Sequence, residues 1–347
     1  MNAGDDPFFL TVNYPDAHWP LQDWVNGLPE TMIDSSKIQV LPYIGHETPR
    51  LRGIVENYYN CMLRLDACVG QLLAELESSG KEDNTLVIFI GDHGAQMARG
   101  KFTVYEGGMR VPFIARWPNV ILPGQRSKSL VSTIDLLPTF LDAARVFNGP
   151  TNLPGKSIRP LFTGQSKVDF REYLVCERNC DAARLTLPQR TIRDKRYKLI
   201  HTLGSGRPDA AAETYQHNAS SSWIGSLNID ELPLAPIHVR EAYERWLNPP
   251  VYQLYDLQRD PHEWHDLVDD AKMAPIKARL IAALQDWQKD TKDPLVSERN
   301  LAQLMAENDA VDKQKRSPKD GWRYLEYLNP ETEQTPVSTS KSIKALP

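Results

Sequence analysis

Three short stretches of the 347-residue chain set chemically capable side chains beside residues that let a ligand come close. Gly91-Asp92-His93-Gly94 puts a carboxylate and an imidazole between glycines, directly after the apolar run at 85–90. A carboxylate there can hold a hard cation, and the glycines allow close approach of backbone and ligand. Arg99-Gly100-Lys101 follows within ten residues and offers an ammonium group that could meet an anion. Asp16-Ala17-His18-Trp19-Pro20 follows a second apolar run, at 8–13, and supplies an imidazole able to move a proton. Singly, each is a common loop feature. Their order along the chain gives them meaning.

The elements that would position these groups are those of an α/β fold. Residues 85–90 (TLVIFI) are apolar or β-branched without alternation, which suits a strand covered on both faces of a parallel sheet. Ligand sites of open α/β sheets lie beyond the carboxyl ends of such strands. Residues 8–13 (FFLTVN) read as another buried strand opening into a loop. Ile54, Tyr58, Leu65, Val69, Leu72 and Leu76 recur at spacings of three, four or seven, which predicts an amphipathic helix over 51–79 stopped by Gly80. A strand at 111–117 and a helix at 132–146, bent by Pro138, complete a strand–helix–strand succession. Beyond about residue 165, residues 172–177, 190–201 and 252–257 read as strands. Residues 203–235 read as a long polar loop and 273–291 as a last helix. The expected division is an α/β unit over 1–165, an antiparallel subdomain with a helix over 166–310, and an extended polar tail over 311–347.

Bulk properties narrow the function. Lys plus Arg is 40 against 45 for Asp plus Glu, a net charge of -5, which argues against a nucleic-acid binder. It leaves an anionic substrate open, because a pocket needs only a few local cations. The chain has no apolar run of about 18 residues, so no membrane span is expected. MNAGDDPFFL lacks the basic start and apolar stretch of a signal peptide. Cys61, Cys68, Cys176 and Cys180 are spaced C-x6-C and C-x3-C, which favours a structural disulfide or free buried thiols over a metal site. Asn218-Ala219-Ser220 is a glycosylation sequon, meaningful only in a eukaryotic secreted context.

In order, VNYPDAHWP, GDHG, RGKFTVYEGGMRVPFIARWP, STIDLLPTFLDAA, LPGKSIRPLFTG, QRTIRDKRYKLI and VYQLYDLQRDPHEWHDL resemble the sulfatases of the alkaline-phosphatase superfamily. The resemblance runs from about residue 7 to about 267. YLVCERN and ERWLNPPVYQLYDL look most like the heparan N-sulfatase (sulfoglucosamine sulfohydrolase) branch. This implies a mixed, mostly parallel alkaline-phosphatase-like sheet flanked by helices, incomplete at the N-terminus. A smaller C-terminal antiparallel subdomain with a terminal helix would follow. It further implies Asp92 and His93 as ligands of a Ca2+ ion, with Mg2+ or another divalent ion in reach because nitrogen is an unusual calcium ligand. Lys101 matches the lysine that contacts sulfate. His18 matches the histidine that hydrogen-bonds the sulfate or serves the leaving group as general acid. The implied partner is a sulfated saccharide, and the implied compartment periplasmic, secreted or lysosomal.

The chain also departs from the family. The formylglycine nucleophile comes from Cys or Ser in C-x-P-S-R, and an Asp-Asp pair ends the first strand. Here Asp5-Asp6 precedes a strand, and no C-x-P-S-R occurs. The expectation is a chain lacking the first half of the sulfatase domain, inactive by itself, with exposed sheet edges that favour a homodimer. Cys180-Asp181-Ala182-Ala183-Arg184 fits a loose C-x-A-x-R pattern, but Pro188 stands where a nucleophile turn would need a helix, and coincidence is the simpler reading. Three functions follow. The first is a sulfatase acting on a sulfated sugar such as heparan-type N-sulfoglucosamine. The second is a phosphodiesterase or phosphonate hydrolase of the same superfamily, for which His201, His217 and His262 lack matching context. The third is a truncated, non-catalytic sulfatase-like protein.

Overall fold

A computed structural model describes residues 6–146, 149–150, 152–164, 170–179, 185–217, 225–314 and 328. Helix α1 (Pro49–Ser78) starts where Thr48 accepts from the Leu51 N–H at 3.2 Å and Pro49 occupies a position that needs no donor. Past its end Gly80 takes φ +67°, the left-handed conformation that stops a helix. Strand β1 (Val87–Ile90), the helical turn α2 (Glu106–Met109) and β2 (Phe113–Arg116) follow. Next come α3 (Leu136–Ala143), α4 (Arg159–Phe162), β3 (Leu174–Arg178), β4 (Gln189–Arg193) and β5 (Tyr197–Thr202). The chain closes with α5 (Ala210–His217), α6 (Ile237–Leu247), β6 (Tyr252–Asp256), α7 (Ala274–Thr291) and α8 (Glu298–Gln314).

The C-terminal sheet is antiparallel in the order β3-β4-β5-β6, as expected of that subdomain. The residues at 190–201 form a hairpin rather than one strand, because the Asp194 carboxylate accepts the N–H groups of Arg196 and Tyr197 and turns the chain. Helix α7 lays Leu280 and Leu284 on Ile192, Leu199 and Leu254 of this sheet. The principal core joins both expected units: Leu51, Val55, Met97 and Tyr105 pack with Ile200, Tyr215, Tyr243 and Tyr255.

The N-terminal unit differs from expectation in three ways. β1 pairs with β2 antiparallel, Val87 opposite Arg116, and its four residues are half-buried rather than covered on both faces. Among the described residues only a single bridge, Met97 with Gly225, is parallel. Residues 8–13 form no strand, and Phe9 is 74% exposed, because no described strand offers this run a ladder or a covering face. Pro138 lies in the first turn of α3, where its missing N–H costs nothing, so it helps start the helix instead of bending it. Farther on, α5 lies inside the stretch expected as a polar loop, α6 and α8 fall where no element is expected, and α8 runs on into the expected tail. In α6 the apolar Val239, Ala242, Tyr243 and Trp246 form a helical stripe and are buried.

Candidate active site

Beyond Ile90 the chain turns sharply through Gly91-Asp92-His93-Gly94. The Gly94 N–H donates to the Gly108 carbonyl at 2.9 Å, and a Cβ on Gly94 would stand 1.7 Å from the Gly107 carbonyl oxygen. A Cβ on Gly108 would stand 2.5 Å from the Gly100 oxygen. Three loop segments (91–94, 99–101 and 105–108) therefore stack backbone on backbone, which only glycine permits. The Lys101 N–H donates to the Ala95 carbonyl at 2.8 Å, and the Thr103 hydroxyl to Gly100 at 2.7 Å. Arg99 and Phe102 hold φ of 61° and 68°, a left-handed backbone that costs about 1–2 kcal/mol per residue unless the surroundings impose it.

This stacking brings three of the four expected site residues to one edge. The Asp92 carboxylate accepts the His93 N–H at 2.8 Å and lies 3.4 Å from His93 Nε2, while His93 Nδ1 meets the Gly94 carbonyl at 2.8 Å. Burial pulls the pKa of the Lys101 ammonium down, and the nearby Asp92 charge opposes that shift. His18 belongs to a separate, exposed turn. Its N–H donates to Pro15 at 2.7 Å and its Nδ1 sits 2.7 Å from the Trp19 carbonyl. Arg64 of α1 pins that turn: Nε donates to Asp16 at 2.9 Å and Nη1 to the Gln22 carbonyl at 2.6 Å. Among the described residues no hydrogen bond or ion pair joins His18 to Asp92, His93 or Lys101.

The metal expectation meets a chemical limit. Calcium takes about six to eight oxygen ligands. The Asp92 carboxylate suits such an ion and the His93 imidazole does not. Among the described residues no group of three or more His, Cys, Asp or Glu could hold a metal. These two side chains do not by themselves fit a calcium ion. Cys61, Cys68 and Cys176 are free thiols, and Cys180 to Arg184 and the sequon at 218–220 lie outside the described residues. No described helix is long and apolar enough to cross a membrane.

Beneath the site lies a buried charge network that sequence reasoning missed. Lys198 on β5 reaches Glu263 at 2.8 Å and Glu106 at 3.1 Å, Arg193 also pairs with Glu106, and the Glu106 N–H donates to Glu263 at 2.6 Å. Burial alone would lower the pKa of Lys198, but the two carboxylates raise it and keep it charged. Burial likewise acts to raise that of Glu106, and the Lys198 and Arg193 charges override it downward. A lysine inside the apolar YKLI run was the available signal, since a charge there must find a partner.

Solved structures with the same architecture define the class: an alkaline-phosphatase-like α/β fold. A 2-O GAG sulfatase matches with a TM-score of 0.53 and 23% identity, over 82% of this chain and 55% of its own. The Sulfatase family model matches residues 1–146, and the model of the C-terminal part of N-sulphoglucosamine sulphohydrolase matches 91–209. Together the two models assign residues 1–209, more than half of the chain, to the sulfatase family. Among curated relatives, an ulvan-active sulfatase of Formosa agariphila is 36% identical over 61% of this chain and 39% of its own length. Human N-sulphoglucosamine sulphohydrolase is 27% identical over 84% of this chain and 62% of its own. The chain thus spans less than two thirds of the length of either relative.

Proposed function

We propose that this chain carries the anion-recognising edge of a sulfatase that hydrolyses a sulfate ester or sulfamate on a sulfated sugar, N-sulfated glucosamine of heparan type being the favoured substrate. The observation that carries this reading is the glycine-locked stacking of residues 91–108, which holds Lys101 within the field of Asp92. Lys101 offsets charge on the sulfuryl oxygens. His18, whose Nδ1 is engaged by Trp19, has Nε2 left for a sulfate oxygen or the leaving group. Asp92, with His93 beside it, would supply only part of the ligand set for the divalent metal that sulfatases usually use. The nucleophile in this reading is the family's formylglycine. The similarity to human N-sulphoglucosamine sulphohydrolase supports the sugar, and a periplasmic, secreted or lysosomal compartment goes with it.

Titration of the chain with N-sulfoglucosamine, followed by calorimetry, tests the reading. Binding that Lys101→Ala weakens at least tenfold is expected, with a phosphonate monoester binding more weakly. Equal binding by Lys101→Ala removes Lys101 from the site. A non-catalytic, anion-binding role is the second reading, favoured by Asp92 and His93 not by themselves fitting a calcium ion among the described residues. Release of inorganic sulfate from an aryl sulfate by the purified chain rejects it.

A further inference from the structure

The DPHEWHDL stretch takes no part in the chemistry above, yet it touches the Lys101 loop from below. Arg99, two residues before Lys101, is 1% exposed. Its guanidinium carbon lies 4.1 Å from the Tyr105 ring centroid and 4.7 Å from that of Trp264. Nη2 donates to the carbonyls of His262 and Glu263, both at 2.8 Å. Nε and Nη1 have no hydrogen-bond partner among the described residues, which fits a cation held by aromatic faces. Glu263, next along, accepts the Glu106 N–H and so fixes the far end of the same loop. Both ends of the segment that carries Lys101 are thus anchored on residues 262–264. The left-handed backbone at Arg99, bracketed by the turn bonds from Gly100 N–H to Met97 and from the Thr103 hydroxyl to Arg99, is held further by this anchor.

We infer that Arg99, clasped by the His262-Glu263-Trp264 segment, is a positioning residue for Lys101, so that the C-terminal subdomain sets the geometry of the sulfate-binding edge. The inference rests on the reading of Lys101 as the sulfate contact. A lysine at 99 would keep the charge but lose the fork that reaches two carbonyls and the flat face that stacks on two rings.

Trace acylation of lysines at one fixed pH, read by mass spectrometry with exposed Lys37 as internal reference, tests it on the whole chain. Wild type, Arg99→Lys and Trp264→Phe are compared with and without inorganic sulfate. The expected result is a Lys101-to-Lys37 labelling ratio at least threefold higher in Arg99→Lys, a smaller rise in Trp264→Phe, and wild-type sulfate protection of Lys101 that needs severalfold more sulfate in the variants. An unchanged ratio and unchanged protection in both variants overturns the inference; if Arg99→Lys does not fold, Trp264→Phe decides. Sulfate protection failing in wild type while the ratio still rises in the variants supports the clasp and overturns the sulfate reading of Lys101.

Discussion

Lys198 Nζ lies 2.8 Å from Glu263 Oε1, and both side chains are 1% exposed. An ammonium buried to that degree must keep a counter-charge, so the pair acts as a bolt between β5 and the loop after β6. Lys198→Met leaves Glu263 and Glu106 short of a cation and is expected to cost about 3–5 kcal/mol. The double variant Lys198→Met/Glu263→Gln is expected to cost less than the sum of the singles. Urea unfolding of the four proteins measures both, and additive costs would show that the pair is not coupled.

Lys101→Ala removes a half-buried charge that makes no ion pair among the described residues, so stability is expected to change by no more than about 0.5 kcal/mol while ligand binding falls. Gly94→Ala is expected to behave oppositely. Its Cβ would meet the Gly107 oxygen at 1.7 Å, so the loop must part and both stability and binding fall. Thermal melts beside N-sulfoglucosamine titrations separate the two behaviours.

Arg64 holds both flanks of the turn that carries His18. Arg64→Met strands the poorly exposed Asp16 carboxylate and is expected to lose about 2–3 kcal/mol. Limited proteolysis is expected to open first in residues 16–32 of that variant. A cleavage pattern like that of wild type would refute the role.

Asp135 is fully buried and forks onto Arg171, and it also accepts the N–H groups of Ser132 and Lys156. Burial acts to raise its pKa, but these partners win and hold it below the usual aspartate range. A carboxylate depressed in the folded state adds stability that is present above its unfolded pKa, about 3.9, and is lost as pH falls through the folded value. Stability is therefore expected to drop below about pH 4, and more shallowly in Asp135→Asn, whose stability at neutral pH is already lower. Urea midpoints between neutral and acid pH give the two slopes.

Phe9, Leu10, Ile114 and Leu122 are exposed, and β1 and β2 pair only with each other among the described residues. Open strand edges and bare apolar side chains favour self-association. The chain is expected to form dimers or larger species as concentration rises, less so with Ile114→Lys. Sedimentation velocity over a concentration series checks this, and a concentration-independent monomer would speak against it.

Much of the scaffold is legible in the order of residues alone. Helix α1 announces itself through its Thr48-Pro49 start, its apolar repeat and Gly80. Strands β3 and β6 and helix α7 follow from short apolar runs and punctuation, whereas the Asp194 turn that divides 190–201 into β4 and β5 does not. Helix α6 carries an equally plain stripe but sits between Pro-rich and polar segments that mask it. The run at 8–13 has the composition of a buried strand, yet no described strand pairs with it, and Phe9 gains only an edge contact with Phe140.

The sequence by itself determined the family, the residue types at the site and the places where backbone must come close, because glycine spacing, helix caps and apolar periodicity are local properties of the chain. Only the tertiary structure decided which charges are buried and which side chains meet. Glu106 lies 92 positions from Lys198, and Arg99 lies 164 from Glu263. A charge can leave water only when its partner arrives, and those partners come from parts of the chain that local sequence does not bring together.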